Sequence, residues 1–105
     1  MSDEARKASM TTPKLRWSLL LVDMRRSLEL VAKVLDQGAT QYDERNWQKG
    51  GESFLRHVKD ARERHYTSHL AGEILDEKSG LPHLAHIIAN DLFLLEHEVL
   101  GVESK

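Results

Sequence analysis

The chain has 105 residues, enough for one domain and too few for two ordinary ones. Its 15 basic and 17 acidic side chains leave a net charge of −2, which does not point to a nucleic-acid polymer or a membrane surface as partner. It has no cysteine, which excludes disulfides, thiol chemistry, Cys-ligated zinc and iron–sulfur centres.

Residues 1–13 are polar, contain no apolar signal-peptide core and end at Pro13, so they are expected to form a disordered tail. A single domain is expected over 14–100, with a short C-terminal tail at 101–105. The longest apolar runs, Leu19–Val22 and Leu92–Leu95, have four residues each and cannot span a membrane. A soluble, cytoplasmic protein is the expectation. Trp17–Leu21 reads as a short extra turn or a packing arm.

The first long helix is predicted from about Val22 to Gln41. Met24, Leu28, Val31 and Leu35 recur at spacings of 4, 3 and 4, and Leu30 and Val34 widen the stripe. Gly38 is either tolerated within this helix or its stop. Tyr42–Gly51 is a loop by composition. A second helix is predicted from about Glu52 to Leu70, with Ser53 as N-cap, an inner face of Phe54, Leu55, Val58, Ala61, His65 and Leu70, and a charged outer face from Arg56 to Arg64.

The third helix is predicted to open after Gly80 with Pro82 in its first turn. Its apolar stripe is Leu81, Leu84, Ile88, Leu92, Leu95 and Val99. No stretch alternates with period two. The expected fold is therefore all-α, a bundle of about three main helices. Ile87, Phe93 and Leu94 extend the third helix's apolar surface nearly around it, so burial on two sides, and at least a dimer, is expected.

Six histidines, His57, His65, His69, His83, His86 and His97, fall within 41 consecutive residues. His83, His86, Asn90, Phe93 and His97 follow spacings of 3, 4, 3 and 4, on a face separate from the Leu/Ile stripe. His65 and His69 share a face of the second helix. Between the two helices lies the acidic connector Gly72–Gly80, with Glu73, Asp76 and Glu77. Imidazoles and carboxylates in a small volume suit Mg²⁺, Mn²⁺ or Zn²⁺. His57, His69 and His97 read mainly as surface residues. In the Tyr42–Gly51 loop, Trp47 can stack on a base, Asn46 can read a base edge and Lys49 can meet a phosphate. The alternative is that Tyr42 and Trp47 only anchor the turn. Arg64, beside His65, stands apart from the solvated charges around it.

These residues resemble a known family. Gly38-Ala39-Thr40-Gln41-Tyr42 followed by Asn46-Trp47 and Lys49-Gly50 is similar to the first signature of the phage-associated dATP/dGTP diphosphohydrolases, a small MazG-like, all-α family. Ser79 to His86 (SGLPHLAH) with Asn90 four residues later resembles the second, and Lys14–Leu20 resembles the family's start. The resemblance covers about Lys14 to Glu98. It implies a metal-dependent pyrophosphohydrolase, using Mg²⁺ or Mn²⁺, that converts purine deoxynucleoside triphosphates to monophosphate and pyrophosphate. The implied site lies between helices of a dimer or tetramer, in the host cytoplasm where the protein is phage-encoded.

MazG proteins hold metal with an EExxE motif followed by ExxD. This chain has no EExxE, and its ExxD is Glu73–Asp76 in the connector. His65, Glu73, Asp76, His83 and His86 are therefore the expected metal ligands. Tyr42, Asn46, Trp47, Lys49, Arg64 and Asn90 are the expected substrate contacts, with Asn90 as supporting hydrogen-bonding group. The general base is not assigned. The alternatives are a module that binds or sequesters nucleotide without cleaving it, and a purely structural oligomerisation domain.

Overall fold

The computed structural model describes residues 14–42 and 51–101. The expected tail at 1–13, the end of the chain at 102–105 and most of the predicted loop fall outside the described residues. The elements are α1 (Ser18–Leu21), α2 (Arg25–Tyr42), α3 (Gly51–Leu70) and α4 (His83–Leu94), which runs into a π-helical turn at Leu95–Val99. No strand occurs among the described residues, only an isolated antiparallel bridge between Leu75 and Pro82. The fold is all-α, as the patterning predicts. No helix among these residues is long and apolar enough to cross a membrane.

Helix α4 organises the molecule: it packs along α3 and, over less of its length, on α2. The core is small. Val31 of α2, Val58 and Ala61 of α3, and Leu81, Ala85, Ile87 and Ala89 are its buried apolar residues. Ala85 and Ala89, one turn apart on α4, are among the most buried residues. Two ion pairs between elements add to this packing, Arg62 with Asp91 and Lys59 with Glu98. The expected solvated charge face of α3 is thus partly engaged.

Helix α2 runs through Gly38, which does not end it. Its Val31 is buried and Leu28 half-buried, but Met24 and Leu35 of the predicted stripe are exposed, as is Leu70 at the end of α3. Helix α3 begins two residues before Ser53, so Ser53 lies in the first turn and is not the N-cap. Pro82 is the N-cap of α4, one position earlier than predicted. Residues 18–21 form the short turn, with their side chains exposed.

The main departure concerns α4. Of the stripe expected to face the core, Leu81 is buried, but Leu84, Ile88, Leu92, Leu95 and Val99 are exposed, at 42 to 72%. The buried side is the one carrying His83, Ala85, Ile87 and Ala89. The physical reason is that α4 has apolar residues on more than one side. Its periodicity marks apolar faces without saying which one the same chain covers. The histidine face is the one whose polar groups find partners in α3 and the connector, His83 and His86 at His65 and His86 at Ser79.

Candidate functional site

The connector between α3 and α4 is a tightly bonded turn. Helix α3 ends in a Schellman motif: Gly72 takes a left-handed φ of 93°, its N–H donates to His69 O, and the Glu73 N–H donates to Ser68 O. The chain then folds back on itself. Asp76 N–H donates to Leu81 O and Gly80 N–H to Asp76 O, both at 2.8 Å, with Gly80 at φ 74°. His83 N–H, in the first turn of α4, donates to Ile74 O at 2.9 Å. These bonds set Asp76 and Ser79 against the start of α4.

Asp76 accepts the Ser79 N–H at 2.8 Å, while Ser79 Oγ accepts the Leu81 N–H at 3.1 Å and lies 2.7 Å from His86 Nε2. His65, on α3, reaches both α4 histidines. Its Nδ1 is 2.8 Å from His83 Nδ1, and its ring stacks on His86 at 4.2 Å with the planes 4° apart. His83 is 3% exposed, and its buried Nε2 has no hydrogen-bond partner. Glu73 Oε2 stands 3.6 Å from that nitrogen.

Ligand-type atoms of His65, Asp76 and His83 all lie within 4.8 Å of one another. Two nitrogens bound to one ion at about 2.1 Å would be roughly 3.0–3.4 Å apart, close to the separation seen here. Two imidazoles and one carboxylate are a donor set that fits a divalent metal ion.

The charge states suit that use. Burial, with His86 close by, lowers the His65 pKa to about 4, and burial also lowers that of His86. Both rings are therefore neutral near pH 7 and keep lone pairs. Burial by itself would raise Asp76. Hydrogen bonds from the Ser79 backbone and hydroxyl, together with His86 and His65, outweigh it and hold the carboxyl below its usual range.

A stability prediction follows. Unfolded His65 titrates near 6.5 and folded His65 near 4. Between these values the unfolded chain takes up a proton that the folded chain refuses, so stability is lost as pH falls through that window. Metal-free protein should melt at progressively lower temperature from pH 7 to pH 4.5. His65→Gln should flatten that dependence in circular-dichroism melts, and an unchanged slope would show that His65 does not set it.

The cluster lies in the wall of a cavity of about 1110 Å³, a volume at the upper end of small-molecule sites. Of the residues predicted for the site, His65, Asp76, His83, His86, Arg64 and Asn90 all line it. Glu73 is adjacent through His83. The Tyr42 side chain, Asn46, Trp47 and Lys49 fall outside the described residues. Among the lining residues that were not anticipated, three bear directly on the site. Ser79 joins Asp76 to His86, Lys78 brings a second cation, and Gln37 of α2 donates to Ser79 O at 3.5 Å. Ser79 was legible as the first residue of the SGLPH motif and Lys78 as its neighbour, whereas nothing local marks Gln37. His57, expected at the surface, is exposed but also lines the cavity, and His69 is half-buried at the end of α3. His97 departs from that expectation more clearly: its ring packs on Phe54 at 5.3 Å, and Phe54 meets Phe93 edge-on.

Fold and site together define an all-α protein with a His/Asp/His cluster at the wall of a large open cavity. The family model described as dATP/dGTP diphosphohydrolase, N-terminal, matches residues 4–105, and the chain belongs to that family. Comparison with curated proteins and with solved structures finds no match.

Proposed function

We propose that the protein is a metal-dependent pyrophosphohydrolase of purine deoxynucleoside triphosphates, releasing pyrophosphate from dATP or dGTP. The observation that carries the reading is the convergence of His65, Asp76 and His83 at the cavity wall, in a chain of this family. A divalent ion held there would offset phosphate charge and polarise water. The water oxygen bonds to the α-phosphorus as its proton passes to solvent, the bond from that phosphorus to the bridging oxygen breaks, and pyrophosphate leaves. His65, Asp76 and His83 hold the ion, and His86 stacks against His65 to fix its ring. Arg64 and Lys78 supply cations for the phosphate chain. Asn90 supports the site by hydrogen bonding. Tyr42, Asn46, Trp47 and Lys49 keep their expected roles at base and phosphate.

Two imidazoles favour Mn²⁺ over Mg²⁺, which prefers an all-oxygen shell. Incubation with each deoxynucleoside triphosphate should give pyrophosphate with dATP and dGTP, faster with Mn²⁺ than with Mg²⁺. Nucleotide binding without pyrophosphate would replace this reading with the sequestering module. That alternative draws on one observation: among the described residues, a single three-ligand cluster and no second one could hold metal.

The site is proposed to work in a homo-oligomer in the cytoplasm. The exposed stripe of α4 is the surface for the second copy, since five large apolar side chains at helical spacing are costly to leave in water. Light scattering should give a mass of at least twice 12.0 kDa, and a monodisperse 12.0 kDa species would defeat the assignment.

A further inference from the structure

The two nitrogens that face each other across His65 and His83 are both Nδ1, 2.8 Å apart, and such a pair holds at most one proton between its members. A ligand set that includes both imidazoles uses these edges, because this is where the rings converge. With both Nδ1 atoms bare, each neutral ring carries its proton on Nε2. For His83 that places an N–H donor at the buried atom that has no hydrogen-bond partner. The neighbouring acceptor is Glu73 Oε2, at 3.6 Å, slightly beyond hydrogen-bond reach. Glu73 sits on the connector with its side chain 46% exposed, so a small rotation can close that gap without disturbing the core.

We propose that Glu73 is a positioning residue and not a metal ligand: its carboxylate accepts the His83 Nε2–H and thereby fixes the tautomer that presents Nδ1 to the ion. This deepens the metal reading above and rests on it. Carboxylates that hold the far nitrogen of a ligating histidine orient the ring and raise its basicity. The arrangement also explains why the connector carries a carboxylate three residues before Asp76. Asp76 supplies the ligand oxygen, and Glu73 supplies the acceptor behind the most buried imidazole.

The test uses Glu73→Ala and Glu73→Gln in the full chain. A glutamine side-chain carbonyl can still accept the Nε2–H, but it is a poor substitute for a charged ligand. Mn²⁺ affinity measured calorimetrically should fall about 10- to 100-fold in Glu73→Ala and stay within a few-fold of the parent in Glu73→Gln. Long-range ¹⁵N–¹H spectra of the protein loaded with diamagnetic Zn²⁺ should show His83 protonated at Nε2 and metallated at Nδ1. Equal losses in the two variants, or metallation of His83 through Nε2, would make Glu73 a ligand and overturn the proposal. Parental affinity in Glu73→Ala would overturn it as well, while leaving the metal site standing. No binding of Mn²⁺ or Zn²⁺ by the unsubstituted chain would overturn both.

Discussion

Asp76→Asn is expected to lower the rate of pyrophosphate release from dATP and dGTP by about 10²- to 10³-fold. Asp76 is the one carboxylate among the three converging groups, the other two being imidazoles. Removing its charge takes away the one anionic ligand proposed for the divalent ion. An ion that supplies several kcal/mol of charge stabilisation corresponds to about that loss of rate. The substitution is nearly isosteric. The asparagine carbonyl can still accept the Ser79 N–H, and the Asp76 backbone bonds to Leu81 and Gly80 are untouched. The fold should therefore survive, with a far-ultraviolet spectrum like the parent's, and the loss should appear in Mn²⁺ affinity as well. A variant that keeps more than a tenth of the parental rate with unchanged metal dependence would remove Asp76 from the ligand set.

The second large effect is on stability. Ala89 is 1% exposed, with Ala85 buried one turn before it. Ala89→Leu forces three extra carbon atoms into a closely packed contact, at a cost of about 1–3 kcal/mol. For a domain of this size each kcal/mol lowers the melting temperature by about 4–8 °C. Ala32→Leu, at an exposed position of α2, is the control and should change stability by less than about 0.5 kcal/mol. Similar melting of the two variants would mean that Ala89 is not closely packed. Because α4 also carries His83 and His86, Ala89→Leu should weaken metal binding at temperatures where the chain is still folded.

Much of the candidate site was legible before any coordinates. The SGLPHLAH run marks His83 and His86, their spacing puts them on one face of α4, and the acidic connector is visible as composition. What spacing does not convey is the pairing across elements. His65 and His83 are 18 residues apart, and only the α3–α4 packing sets their nitrogens at 2.8 Å. Ser79 was legible as a motif residue. Its bonds to Asp76, Leu81 and His86 depend on the left-handed Gly80 and the backbone bonds that close the connector. Gln37 carries no local mark, since its contact with Ser79 spans 42 residues.

By itself the sequence determined the helical class, the approximate extents of the three long helices, the family and the identity of the chemical groups. Helical periodicity, glycine and proline punctuation and side-chain chemistry are local properties, and they can be read along the chain. Tertiary structure alone decided which side of α4 faces inward. Both sides are apolar enough to be buried, and the choice falls to the one whose polar groups find partners in α3 and the connector. That choice turned the histidine face into the inner wall of the cavity and left Leu84, Ile88, Leu92, Leu95 and Val99 on the outside. It also separated the six histidines by environment. His65, His83 and His86 meet at the site, while His97 joins Phe54 in an aromatic contact.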